Sequence, residues 1–100
     1  MVHHIVVWRL KKKFSDKERL EALTTLKAKV ESLKNIPGIG EFTVTAKIHP
    51  KTTMGGDFLL HSTHADQAGL DAYYSHPAHT AFVEFAKTVI ESRDLIDYEE

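Results

Sequence analysis

Residues 2–10 read Val-His-His-Ile-Val-Val-Trp-Arg-Leu, VHHIVVWRL. β-Branched residues crowd this stretch, which marks it as a strand. Ile5 and Val7 fall on one side of that strand, and Val6, Trp8 and Leu10 on the other. Both sides are apolar, and a strand apolar on both sides needs cover on both. The rest of the chain must supply it.

Immediately downstream, Ser15-Asp16-Lys17-Glu18 matches a capping box, with Ser at the N-cap and Glu at N3. Leu20, Leu23, Leu26, Val30 and Leu33 then recur at three- and four-residue steps along one face. This predicts a helix over 15–34, ended by Pro37-Gly38 and Gly40. Phe42, Val44, Ala46 and Ile48 alternate with Glu41, Thr43, Thr45 and Lys47, a strand with one buried face. Residues 49–56, HPKTTMGG, carry Pro, Thr and paired Gly and read as loop. A third strand, DFLLHST, spans 57–63. From Ala65 a helical pattern carries Leu70 and Tyr73 or Tyr74. It breaks at His76-Pro77, because proline disfavours helical geometry in the residue before it yet suits the first position of a new helix. Phe82, Phe85, Val89 and Ile90 give that second helix its apolar face. Arg93 to Tyr98 closes the chain as a strand, with Leu95 inward and Ile96 outward.

The order β-α-β, loop, β-α-β is an α+β arrangement, the ferredoxin-like split βαβ plan: an antiparallel sheet with its helices on one face. Helices on one face leave the other face bare, so the two-sided first strand predicts a second copy packed there in a two-fold homodimer.

One hundred residues form a single domain, 1–100, large enough for a core but not for a core and a large cleft. Absence of cysteine removes disulfides, thiol nucleophiles and zinc–thiolate sites, which suits a cytoplasmic home. The longest apolar run, Ile5-Val6-Val7-Trp8, is too short for a membrane span or signal-peptide core. Residues 1–50 hold ten Lys/Arg against five Asp/Glu, and residues 51–100 three against nine. The basic excess gathers at Lys11-Lys12-Lys13 and on the first helix. It reads as a solvated strand end and helix surface, not as a nucleic-acid face with stacking aromatics.

Chemistry concentrates in residues 73–82, YYSHPAHTAF. With Pro77 at N1, His79 stands at N3, where the positive helix end disfavours imidazolium. A neutral imidazole there can act as general base or bond a carbonyl, with the Tyr73 hydroxyl across the break as a second polar group. The plainer reading is that His79 caps backbone groups and Tyr73 packs. His76 is the expected N-cap. His4 shares a face with Val6 and Trp8, whereas His3 points the other way. His76 and His79, or His61 and His64, have metal-like spacing, but zinc would want a third ligand and no carboxylate supplies one. No phosphate-binding glycine loop and no nucleophile elbow is present. No metal, nucleotide or prosthetic group is expected.

Three segments, HHIVVWRLK, FLLHSTHADQAGLDAYYSHPAHTAF and LIDYE, resemble the stress-responsive dimeric α/β barrel (Dabb) family in the same order and over nearly the whole chain. That resemblance implies a homodimer whose two sheets form a barrel, with a small apolar pocket between sheet and helices in each subunit. One plant member is a polyketide cyclase that closes a linear chain by aldol condensation. By position, its catalytic tyrosine and histidine fall on Tyr73 and His79, and a pocket histidine on His4. Aliphatic Leu23 and Leu26 stand where that enzyme is rich in aromatics, a departure that bears on the substrate and not on the proton chemistry. The expected site is a pocket with Tyr73 and His79 as the chemical groups and His4, Val6, Trp8 and His76 as binding contacts. Two functions fit it: a protein that binds a small, mostly apolar or aromatic molecule, or a cofactor-free enzyme with His79 as base and Tyr73 as donor to a carbonyl.

Overall fold

The computed structural model describes all residues, Met1–Glu100. Its elements are β1 (Val2–Leu10), α1 (Asp16–Ser32) with a 3-10 turn at Leu33–Asn35, β2 (Ile39–Thr45), β3 (Phe58–His64), α2 (Gln67–Ser75), α3 (Pro77–Val89) and β4 (Ile90–Glu99). The four strands form one antiparallel sheet in the order β2-β3-β1-β4. This is the ferredoxin-like plan, with β1 central and β4 at an edge.

Period-2 burial is complete along β1. Val2, His4, Val6, Trp8 and Leu10 are buried beneath the helices, while His3, Ile5, Val7 and Arg9 are half-buried on the outer face. Ser15 opens α1 with both bonds of the capping box: Glu18 N–H donates to Ser15 Oγ and Ser15 N–H to Glu18 Oε1. Ala22, Leu26 and Val30 then face the sheet, continued by Leu33. Leu20, expected on that face, is 66% exposed. At 3.6 residues per turn it stands about 120° around the helix from Leu26, and the small Ala22 takes the inward place.

Two strand boundaries differ from the sequence expectation. β2 stops at Thr45, which pairs with Leu59 near the start of β3; Lys47 N–H then bonds Thr45 Oγ1 at 3.0 Å and turns the chain away. The alternation at Ala46 and Ile48 therefore continues past the strand's partner. The loop returns to the sheet at Gly56, whose φ of 148° and proximity to Val7 leave no room for a Cβ. Asp57 N–H bonds the Trp8 carbonyl at 2.8 Å. At the other end, α3 runs into β4 without a loop. Ile90, read from the sequence as part of a helix face, pairs instead with Leu10 as the first residue of the strand.

The core lies between the sheet's inner face and the helices, centred on Val6, Leu26, Phe58, Leu60 and Leu70. On the outer face no helix covers Ile5, Val7, Ile96 or Tyr98, and Ile96 is 59% exposed. No helix is long and apolar enough to cross a membrane.

Candidate functional site

Helices cover β1 and β3 more fully than the edge strand β4, and the shortfall leaves a cavity of about 280 Å³ between β1, β4 and α3. Val6, Trp8, Leu60, Phe82 and Ala86 give it an apolar body, and His4, Tyr73, Tyr74 and His79 a polar end. The helix break builds that end. His76 is extended at φ −64° and ψ 137°; its N–H bonds the Tyr73 carbonyl to close α2, and its Nδ1 accepts from Ala78 N–H to open α3. The chain thus doubles back, and the Tyr73 and His79 rings lie 4.8 Å apart, centroid to centroid.

Five of the six expected site residues meet at the cavity: His4, Val6, Trp8, Tyr73 and His79. His76 does not line it. Its imidazole is engaged as the helix cap, so its placement among the binding contacts is corrected.

His79 is held below the usual histidine range, first by burial, with the nearby His4 and Arg93 adding to the effect and a hydrogen bond to the Tyr74 backbone opposing it. Neutrality was expected from the helix end; desolvation is the larger cause. In a neutral imidazole one ring nitrogen carries a proton and the other is an acceptor. Burial alone raises the Tyr73 hydroxyl well above the usual tyrosine range, so it remains a proton donor. An acceptor and a donor therefore stand side by side at one end of an apolar cavity.

Sequence reasoning missed three further groups. Asp97 stands opposite His4 in the β1–β4 register, and its Oδ1 lies 2.6 Å from His4 Nδ1. Tyr74 donates to Asp97 Oδ2 at 3.1 Å. A carboxylate oxygen accepts, so in this contact the His4 Nδ1–H donates to Asp97 Oδ1. Burial, then the Asp97 charge, raises the Tyr74 hydroxyl as well. His64 is buried behind Tyr73, with ring centroids 5.1 Å apart. Its Nε2 bonds Ser62 Oγ at 3.0 Å, and its Nδ1 has no partner. The alternation Phe58, Leu60, Ser62, His64 was the signal that puts it on the inner face. Asp97 and His4 lie 93 residues apart, and only strand order joins them. No group of three or more His, Asp or Glu is placed to hold a metal ion.

Comparison with known proteins agrees with this architecture. The family model described as Stress responsive A/B Barrel Domain matches residues 2–100. Among curated proteins none matches. A dimeric ferredoxin-like protein of unknown function from Bacteroides fragilis is 28% identical, with 99% of this chain and 95% of that one covered and a TM-score of 0.84. A Dabb family protein from Mesorhizobium loti is 31% identical over 99% of this chain and 95% of that one, with a TM-score of 0.74. Hydroxynitrile lyase from Passiflora edulis, 23% identical over 97% and 90% with a TM-score of 0.78, shares the fold. With its whole length matched and its strand order, helix break and inner-face cavity in place, the chain belongs to the stress-responsive A/B barrel (Dabb) family.

Proposed function

We propose that this protein works as a homodimer that binds a small, mostly apolar, carbonyl-bearing molecule between sheet and helices, without a prosthetic group. The cavity carries this reading: an apolar body of about 280 Å³ closed at one end by Tyr73 and His79, each with hydrogen-bonding capacity to offer. Such a site favours a flat or branched hydrocarbon body with a single polar head. Trp8, the sole tryptophan, lines the cavity, so its fluorescence reports occupancy directly. Titration with small aromatic ketones should change Trp8 emission saturably. Emission indifferent to every such compound would refute the reading.

A second reading is favoured by the pairing of a neutral His79 with a protonated Tyr73. His79 takes a proton from the carbon next to the ligand's carbonyl, and the C–H electron pair moves into an enolate. Tyr73 donates a hydrogen bond to the developing oxyanion. The proton then returns to carbon, or the enolate carbon attacks a second carbonyl in the same molecule, whose C=O π bond breaks and whose oxygen takes the proton from His79. Exchange of that hydrogen for deuterium in D2O, followed by NMR, tests the first step. Exchange no faster than buffer alone leaves a binding protein.

The bare apolar outer face of the sheet supports the dimer, as does the description of related proteins as dimeric. Light scattering should give about twice the 11.3 kDa chain mass.

A further inference from the structure

We propose that the pocket's ligand is an anion, a carboxylate of aromatic or medium-chain body, and that Arg93 is the residue that recognises it. This rests on the pocket reading above and adds the ligand's charge.

The chain has three arginines. Arg9 donates to Asp94 and to the Met54 carbonyl, and Arg19 to Asp57. Arg93 alone meets no acceptor. Its place in the register explains where it is aimed. Arg93 stands opposite Trp8, Leu95 opposite Val6, and Asp97 opposite His4, so all three β4 residues share the cavity side of the sheet. Arg93 lines the cavity and is itself exposed to solvent.

Other charges around the cavity are already matched. Lys87 bonds Glu84 at 3.1 Å, and Glu91 lies 3.8 Å from Lys12 Nζ. Asp97 accepts from His4 and Tyr74. Arg93 is thus the one charged side chain on the cavity wall with no ion-pair or hydrogen-bond partner. Its field reaches the polar end, where it acts on both Tyr74 and His79 in the sense of a nearby cation. A guanidinium is weakly hydrated and its planar fork matches a carboxylate with two parallel hydrogen bonds, so it is suited to an anion entering from solvent.

Between Arg93 and the polar end formed by His4, Tyr73 and His79, the cavity wall is apolar, made by Val6, Trp8 and Leu95. The ligand class is therefore a carboxylic acid with an apolar body.

Two matched probes test the charge: 2-naphthoate and its neutral analogue 2-naphthamide, titrated calorimetrically into the full chain. Naphthoate should bind about tenfold more tightly, the size expected of one charge-assisted hydrogen-bonded contact. Arg93→Gln should abolish that preference, and Arg93→Lys should restore part of it. Added salt should weaken naphthoate binding alone. Equal affinity of the two probes, or a preference that survives in Arg93→Gln with its circular dichroism unchanged, overturns the anion assignment while the pocket stands. Binding of neither probe overturns both.

Discussion

His3 and His4 are neighbours in sequence, yet they belong to two different surfaces. His4 points inward, bonds Asp97 and meets Tyr74. His3 points outward, with Nδ1 2.9 Å from His61 Nε2, Nε2 2.9 Å from Glu100, and its ring stacked on Tyr98 at 4.6 Å. Each is a histidine with a carboxylate and a tyrosine. The difference lies in what surrounds them. Inside, an apolar cavity adjoins the cluster, and low dielectric strengthens each of its interactions. Outside, the cluster lies on an open sheet surface with Glu100 largely in solvent, where such pairs contribute little. The same side chains are therefore candidates for chemistry on one face and for subunit contact on the other.

The sharpest way to break this contrast is to remove an imidazole from each face. His79→Ala should lower ketone hydrogen exchange about 10²- to 10⁴-fold, the range for loss of a general base. Its stability should change by only about 1 kcal/mol, one hydrogen bond's worth. His3→Ala should leave exchange untouched. A collapse of exchange in His4→Ala with His79→Ala active would move the base from α3 to the Asp97-backed histidine of β1.

A second, smaller effect belongs to the outer face. Ile96→Asp puts a charge into the apolar patch beside Ile5, its partner in the register. The dimer should dissociate at micromolar concentration, read as a halved mass in light scattering, with the fold intact by circular dichroism. An undisturbed dimer would mean that another surface joins the subunits.

Much of this architecture was legible from residue patterns because its causes are local. The capping box at Ser15, the period-2 burial of Val2 to Leu10 and the break at His76-Pro77 each follow from a few adjacent residues. What misled was also local. The pattern at Ala46 and Ile48 continues past the point where β3 can pair with it, and Leu20 fits a three-residue step while lying off the buried arc. His76 looked like a pocket contact, but its ring is taken up as a cap. The least legible parts of the site were Asp97 and Arg93. Their place beside His4 and Trp8 comes from β4 pairing with the first strand, across nearly the whole chain.

A third substitution sharpens the comparison between carboxylates. Asp97→Asn keeps the shape but removes the carboxylate that accepts from His4 Nδ1 and the Tyr74 hydroxyl. It should weaken ligand binding or exchange about tenfold, the effect of one charge-assisted hydrogen bond. Glu100→Gln, beside His3, should change neither. Equal effects of the two would show that burial does not separate the faces.

The smallest expected effect is a pH dependence carried by the inner face. Burial, the leading cause, lowers His64 below the usual histidine value of 6.5, with His4 adding to the shift and Asp97 opposing it. Burial likewise lowers His79. In the unfolded chain both residues take up a proton near pH 6.5, whereas in the folded chain they resist it. Below that pH the unfolded state binds more protons, so stability is full above about 6.5 and declines as the pH falls towards the folded-state values. His64 makes this a clean test, because it lies behind Tyr73 and does not line the cavity. Its Nδ1 has no partner, so a replacement need not satisfy that atom, while the amide of His64→Gln can still reach Ser62. Thermal melts of the wild type should show a falling Tm between pH 7 and pH 5, and His64→Gln should make that slope shallower, leaving the His79 share, with ligand affinity at pH 7 unchanged. An outer-face control, His61→Gln, should leave the slope as it is. Loss of the slope in the control, with His64→Gln as steep as the wild type, would place the proton-linked stability on the open face instead of the enclosed one.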